Sequence, residues 1–357
     1  MGKALEQGTE ATSSVSTGWS GDKGSGRILY FDVLNVVATL CVVALHCNGS
    51  VYLFEQNARW GQALMVEVLA YWAVPIFFML SGATLMGYRR RYGTKVFIKK
   101  RLMRVGIPWL CWSLIFYALL WNGLPTHNFY TLFMGSGIQP TYWFFFPLCA
   151  IYLSMPILSL MRDKNRVLWY MVIVAFALQS LLPTLLSLFH LPWNGDLSLP
   201  LMGGYLIFPV LGYLLANIDI PKRHRMVLYG LGLACVLFRY VYTLLRSFAD
   251  GIVDTALFGY TQFQSVLWAS AVFVWFKYRD WSFLKKRGQK ALILLSGCSF
   301  GIYLVHYYML YEIILPLSGF SITSGWIRLI LPIPLYLICF AMIFVLKKVP
   351  VVRFIIP

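Results

Sequence analysis

Apolar runs close to twenty residues long, separated by short polar clusters, recur along the chain from about residue 28 onward. A helix rises 1.5 Å per residue, so about twenty such residues cross the ~30 Å hydrocarbon layer of a bilayer. Ten segments meet that length: 29–48, 64–87, 105–123, 142–161, 167–188, 198–217, 227–246, 258–276, 290–311 and 327–346. The pattern predicts an all-α polytopic membrane protein, with odd-numbered helices running one way and even-numbered ones the other. Pro75, Pro156, Pro183 and Pro209 fall inside these segments. A bundle tolerates them because neighbouring helices satisfy the freed backbone groups. Residues 1–26 are polar and rich in Gly, Ser and Thr, without the apolar core of a signal peptide. They are expected to form a flexible cytoplasmic tail ahead of one membrane domain over 27–357.

Composition supports the membrane class. The chain of 357 residues is 59% hydrophobic and 12% charged, whereas soluble chains carry about 25% charged residues. Cytosolic enzymes, disordered proteins and secreted scaffolds are thereby excluded. The net charge of +17 would suggest nucleic acid on a soluble protein, so the position of the charges decides. Twenty-six of the 30 Lys and Arg residues fall on one side of the ten segments, and only Arg59, Arg246 and Arg328 fall on the other, with Arg239 inside a span. This is the positive-inside pattern; it predicts both termini in the cytoplasm and removes the nucleic-acid reading.

Ionisable groups at membrane depth are costly and are candidate functional sites by default. His46 lies roughly 25 Å from the cytoplasmic start of its helix and His306 roughly 24 Å from its own, at 1.5 Å per residue. Two histidines distant in sequence thus reach the same height in the outer half of the bilayer, where a neutral imidazole can act as a base towards an alcohol. The plainer account is that each is an interfacial histidine bonded to a neighbouring helix or headgroup. Arg101 and Arg104, three apart on a predicted helix beside Lys100, share a face at the cytoplasmic mouth of the third span. Guanidinium groups grip phosphate bidentately, which suits coenzyme A; basic loops also sit here for topology and to meet anionic membrane lipid.

Arg239, midway through its span, needs a partner such as a carboxylate or a substrate anion. Asp32 and Glu67 sit near span starts, where helix N-termini favour negative charge. Trp143 opens the fourth span within Trp143-Phe144-Phe145-Phe146, as an aromatic belt predicts or as a sugar-stacking platform. The seven cysteines show no metal-ligand spacing. His46 and Cys47 point about 100° apart on a helix of 3.6 residues per turn, so no metal site is expected and core thiols are.

Several runs together resemble the acyltransferase 3 family of membrane acyltransferases: Arg27…Phe31-Asp32…Asn35…His46, and Val74-Pro75-Ile76-Phe77-Phe78-Met79-Leu80-Ser81-Gly82. The resemblance continues in Phe97-Ile98-Lys99-Lys100-Arg101…Arg104…Pro108, in Tyr142-Trp143-Phe144-Phe145, and in Ser296…Ser299-Phe300-Gly301-Ile302-Tyr303-Leu304-Val305-His306. The resemblance implies ten spans in a cell membrane, namely the bacterial cytoplasmic membrane. It also implies O-acylation, with acetyl-CoA or another short acyl-CoA as donor and a hydroxyl of an extracytoplasmic or lipid-linked glycan as acceptor. On the same footing, His46 is the base or acyl relay, with His306 and Tyr303 orienting the donor or acceptor. Lys100, Arg101 and Arg104 bind the donor, and Asn35, Ser81, Trp143 and Arg239 are candidates for substrate binding. One position departs from the family pattern. The family commonly has Arg eleven residues before its first-span histidine, where this chain has Asn35, and Arg239 is a candidate to compensate. A transporter or flippase is the competing class, suited by Pro- and Gly-broken spans and a mid-membrane arginine. A structural membrane partner would leave the histidine pair unexplained.

Overall fold

The computed structural model describes residues 27–120, 128–350 and 352–356. The expected tail over 1–26 and His127 lie outside the described residues. Helices and connecting turns make up the described chain, with no β-strand among the described residues. In chain order the helices that fall on the hydropathy segments are α1 (Leu29–Cys47), α2 (Ala58–Arg90), α3 (Thr94–Leu120), α4 (Pro140–Leu158) and α5 (Asn165–Leu188). They continue with α6 (Gly204–Asn217), α7 (Lys222–Asp250), α8 (Phe263–Tyr278), α9 (Lys286–Ser318) and α10 (Pro332–Leu346). Among the described residues, seven of these (α1 to α5, α7 and α9) are long and apolar enough to cross a membrane. The shorter α6, α8 and α10 fall on the remaining hydropathy segments. The chain is an all-α polytopic membrane protein.

Several boundaries differ from the hydropathy reading. α3 begins at Thr94, so the basic motif is continuous with its span. α9 runs on to Ser318 and takes in the start of the loop expected over 312–326. α6 is short because it is enclosed: every residue from Ile207 to Ala216 is buried. A helix that is apolar all round belongs in a protein core, and its length is then not set by bilayer thickness. α7 shows the opposite design. Gly232, Cys235, Val236, Arg239, Thr243 and Ser247 form one buried stripe at helical spacing, while Leu233, Leu237 and Leu245 face outward. Gly251 ends this helix at φ 71°, a left-handed conformation that glycine adopts without a Cβ penalty.

α2 is bent at Tyr71-Trp72, where the regular helix lapses for two residues ahead of Pro75. Beyond the bend it packs against α6 backbone to backbone. A Cβ built on Gly82 would lie 1.8 Å from the Pro209 carbonyl oxygen, and one on Gly212 would lie 2.2 Å from that of Met79. Small residues are what allow such close approach in membrane helices.

Three wide, π-type turns interrupt the helices, at Leu102–Gly106 in α3, Phe176–Leu181 in α5 and Met309–Ile314 in α9. Each ends two residues before a proline: Pro108, Pro183 and Pro316. Proline lacks an N–H and its ring crowds the carbonyl four residues back. Widening the turn to an i→i+5 pattern relieves that clash and re-bonds the ladder.

Finally, α1 and α9 run parallel and in register. The Asn35 amide donates to the carbonyl and the hydroxyl of Ser296 at 3.1 and 3.0 Å. Eleven residues further along α1, His46 meets His306. Eleven residues is about three turns and about 16 Å, so both contacts fall on nearly one face of α1.

Candidate active site

The two histidines form a hydrogen-bonded pair. His306 Nε2 lies 2.9 Å from His46 Nδ1, and the ring centroids are 4.9 Å apart. His306 is fully buried, and its Nδ1 faces the carbonyls of Tyr303 at 2.8 Å and Ile302 at 3.1 Å. Carbonyls only accept, so Nδ1 of His306 carries the proton and its Nε2 is the acceptor. The shared proton therefore belongs to His46 Nδ1, and His46 Nε2 keeps its lone pair. That arrangement is competent for proton abstraction. An imidazolium formed at His46 keeps its hydrogen bond to His306, now charge-assisted. Tyr307 stands edge-on to His46 at 5.7 Å, and the Tyr311 hydroxyl donates to the His46 carbonyl at 3.1 Å, fixing the end of α1.

A cavity of about 350 Å³ approaches the pair from the end of the bundle that bears the basic motif. Four of the residues expected to bind donor or substrate or to act in catalysis line it: Asn35, Ser81, Arg101 and Tyr303. The walls add Asp32, Thr84, Tyr152, Ser296 and Ser299, with Phe31, Phe77, Phe144 and Phe300 supplying apolar surface. Neither histidine lines it. Its inner end is closed by Tyr303, whose ring centroid is 5.6 Å from that of His306.

Of the three basic candidates only Arg101 reaches this cavity. It is half-buried, 5.8 Å from the ring centroids of Phe97 and Tyr152, and its Nε has no partner. Lys100 is exposed, with its ammonium 3.9 Å above the Tyr92 ring, and Arg104 is exposed within the wide turn. The shared face expected for Arg101 and Arg104 assumed regular α-helical spacing. The i→i+5 turn between them rotates Arg104 away.

Tyr303 does not offer a free hydroxyl. Its O–H donates to the Thr141 carbonyl at 2.6 Å, while Tyr142 on α4 donates to the Leu304 carbonyl at 3.0 Å. These reciprocal bonds pin α4 to α9, which makes Tyr303 a positioning residue at the inner end of the cavity. Tyr303→Phe retains the ring and loses the bond, so it should lower stability by about 1 kcal/mol, read as a lower unfolding midpoint of the purified protein in detergent. An unchanged midpoint would show that the clamp contributes nothing. Ser81 likewise donates to its own helix, at the Phe77 carbonyl, 2.9 Å away. Asn35 spends its amide on Ser296 and acts first as a strut between α1 and α9.

Asp32 is ion-paired rather than serving only the helix start. Arg27 holds it bidentately, at 2.6 and 2.7 Å, and the carboxylate in turn raises Arg27 above the ordinary arginine range. Arg239, the candidate to compensate for Asn35, lies outside this cavity. It is 3% exposed, stacked 3.7 Å over the Tyr71 ring and 5.0 Å from that of Phe258. Its direct contacts are aromatic and its Nε and Nη2 make no hydrogen bond, while the buried carboxylate of Glu67 lies within reach of its charge. Tyr71 stacks on Tyr260 at 4.1 Å and Tyr260 on Trp143 at 5.4 Å. Trp143 therefore ends an internal column, with one face covered. The guanidinium that accompanies Asn35 in the cavity is that of Arg101.

Sequence reasoning missed Tyr152, Thr84 and the Thr141 carbonyl. Tyr152 sits one turn from Leu148 on α4, and both line the cavity, but in an apolar run that spacing marks any buried face. No curated protein and no solved structure matches the chain. A family model described as an acyltransferase domain matches residues 28–347, from the start of α1 to the end of α10. That match takes in every helix that builds the cavity and the histidine pair, and it places this membrane protein in the acyltransferase 3 family.

Proposed function

We propose that the protein moves a short acyl group, acetyl first among them, from cytoplasmic acyl-CoA to a hydroxyl of an extracytoplasmic or lipid-linked glycan. The observation that carries this reading is the cavity joining Arg101 to Tyr303, one turn short of the histidine pair. A volume of about 350 Å³ is at the lower end for small-molecule pockets. It suits the acyl-pantetheine arm and leaves the nucleotide outside, at the rim where Lys100 and Arg104 are exposed.

In the proposed reaction His46 Nε2 takes the proton of the acceptor hydroxyl as its oxygen attacks the thioester carbonyl. The C–S bond breaks, and the CoA thiolate leaves with the proton held at His46, giving an ester and free CoA thiol. His306 keeps the His46 ring oriented and supports its charged form, in the manner of a base–orienter pair. Tyr303 must swing from its closing position for the acyl group to meet His46.

Transfer of label from acetyl-CoA and succinyl-CoA to surface polysaccharide by the reconstituted protein tests this directly. Arg101→Ala should raise the KM for acyl-CoA about tenfold or more, as expected for one lost charge-assisted contact. Arg104→Ala should have the smaller effect. Equal effects, or none, would return both arginines to a topological role. A protein that binds no acyl-CoA would instead favour a carrier for a polar solute.

A further inference from the structure

Arginine is scarce at the end of the bundle opposite the basic motif, where the sequence places only Arg59, Arg246 and Arg328. Arg246 is neutralised by Asp250 at 3.1 Å and Asp254 at 3.7 Å. Of the other two, Arg59 lines a cavity of about 490 Å³ together with Gln62, Thr323, Ser324, Gly325 and Leu329, and Arg328 lies behind that wall. Arg328 stands beside its glycine wall: a Cβ on Gly325 would come 3.5 Å from both Arg328 Nη2 and Gln62 Oε1. Arg328 is only 2% exposed. Its Nη1 donates to the Ser50 hydroxyl at 3.0 Å and its Nη2 to the Arg59 carbonyl at 2.6 Å, while its Nε has no partner. Neither arginine has an ion pair among the described residues. Glu55, whose charge reaches Arg328, is itself engaged by the Asn57 amide at 2.8 Å.

A buried guanidinium with no carboxylate on it is costly unless a counter-charge comes near it. We propose that this cavity is an oxyanion site, in which Arg59 holds a carboxylate or phosphate and the buried charge of Arg328, behind the Gly325 wall, strengthens the attraction. The acyl acceptor would supply that group, given the acyl-transfer reading above; a phospholipid headgroup is the other source of the same chemistry. Ser50, which Arg328 binds, follows His46 by four residues, so the site lies at the end of α1 that carries the histidine pair.

Calorimetric titration of the protein in phosphatidylcholine nanodiscs tests this without requiring turnover. The probes are glucose 1-phosphate, methyl glucuronide and the uncharged methyl glucoside. Both anions should bind at least tenfold more tightly than the glucoside. Arg59→Gln should weaken the anions about tenfold, the loss of one charge-assisted pair, and leave acetyl-CoA affinity unchanged. Arg59 is exposed, so this variant avoids the folding risk of Arg328→Met, which should act in the same direction. Adding phosphatidylglycerol to the discs separates the sources. Weaker anion binding in the wild type but not in Arg59→Gln means a lipid headgroup occupies the site, and no change means the acceptor does. Both outcomes keep an oxyanion site. Equal affinity for glucoside and anions, no anion binding at all, or wild-type affinity in Arg59→Gln would overturn it. Failure to transfer acetyl label, measured separately, would sink the enzymatic reading and leave this one standing.

Discussion

Replacing His46 with alanine is expected to lower acyl transfer by about 10²- to 10⁴-fold, the range a positioned general base contributes. The expectation rests on the proton count in the pair. With His306 Nδ1 committed to two carbonyls, His46 Nε2 holds the lone pair that is free to act. His306→Ala should cost less, about 10- to 100-fold, because it removes a charge-assisted hydrogen bond rather than the base. The loss should fall on kcat, with the KM for acyl-CoA unchanged, since neither histidine lines the cavity proposed for the donor. Single-turnover transfer of labelled acetyl, on variants shown to be monodisperse and folded, makes the measurement. A folded His46→Ala protein working at the wild-type rate would end the proposal. A larger loss in His306→Ala than in His46→Ala would reverse their roles.

The second large effect is structural. Gly82→Ala and Gly212→Ala should each cost more than about 3 kcal/mol, at or beyond the upper end for overpacked cores. The new Cβ meets backbone, with Pro209 oxygen, carbon and Cα all within 2.5 Å of the first, and Met79 oxygen and Cα within 2.5 Å of the second. No rotamer change relieves such a contact, so α2 and α6 must separate. Phe77, Leu80 and Ser81 line the cavity near Arg101 from the same stretch of α2, and activity should fall with stability. Gly230→Ala is the matched control, since nothing lies within 4 Å of its Cβ position. Fluorescence-detected gel filtration and thermal unfolding would compare them. A Gly82→Ala protein as stable as Gly230→Ala would show the contact to be loose.

Much of this architecture was legible because bilayer length is written directly in hydropathy. The matched heights of His46 and His306 were legible too, since helix rise is constant along straight spans. What escaped depended on backbone bonding or on partners remote in sequence. The wide turn at 102–106 leaves no hydropathy trace, yet it separates Arg101 from Arg104. The hydroxyl of Tyr303 looked free until Thr141, 162 positions away, proved to hold it. Arg239 called for an anion by charge alone; Glu67 supplies a carboxylate within reach, but the direct contact is the ring of Tyr71. The enclosure of α6 follows from glycines on two helices meeting, which no single helix reveals.

The strut between Asn35 and Ser296 has a consequence for the histidines far along the same helices. Sliding α9 by one residue against α1 would shift it about 1.5 Å and turn it about 100°, enough to break a 2.9 Å nitrogen-to-nitrogen contact. Two fixed points on parallel rods act as a vernier: the coarse mark at residue 35 sets the fine alignment at residue 46. The meeting of the two histidines is thus gauged three helical turns away from where they touch.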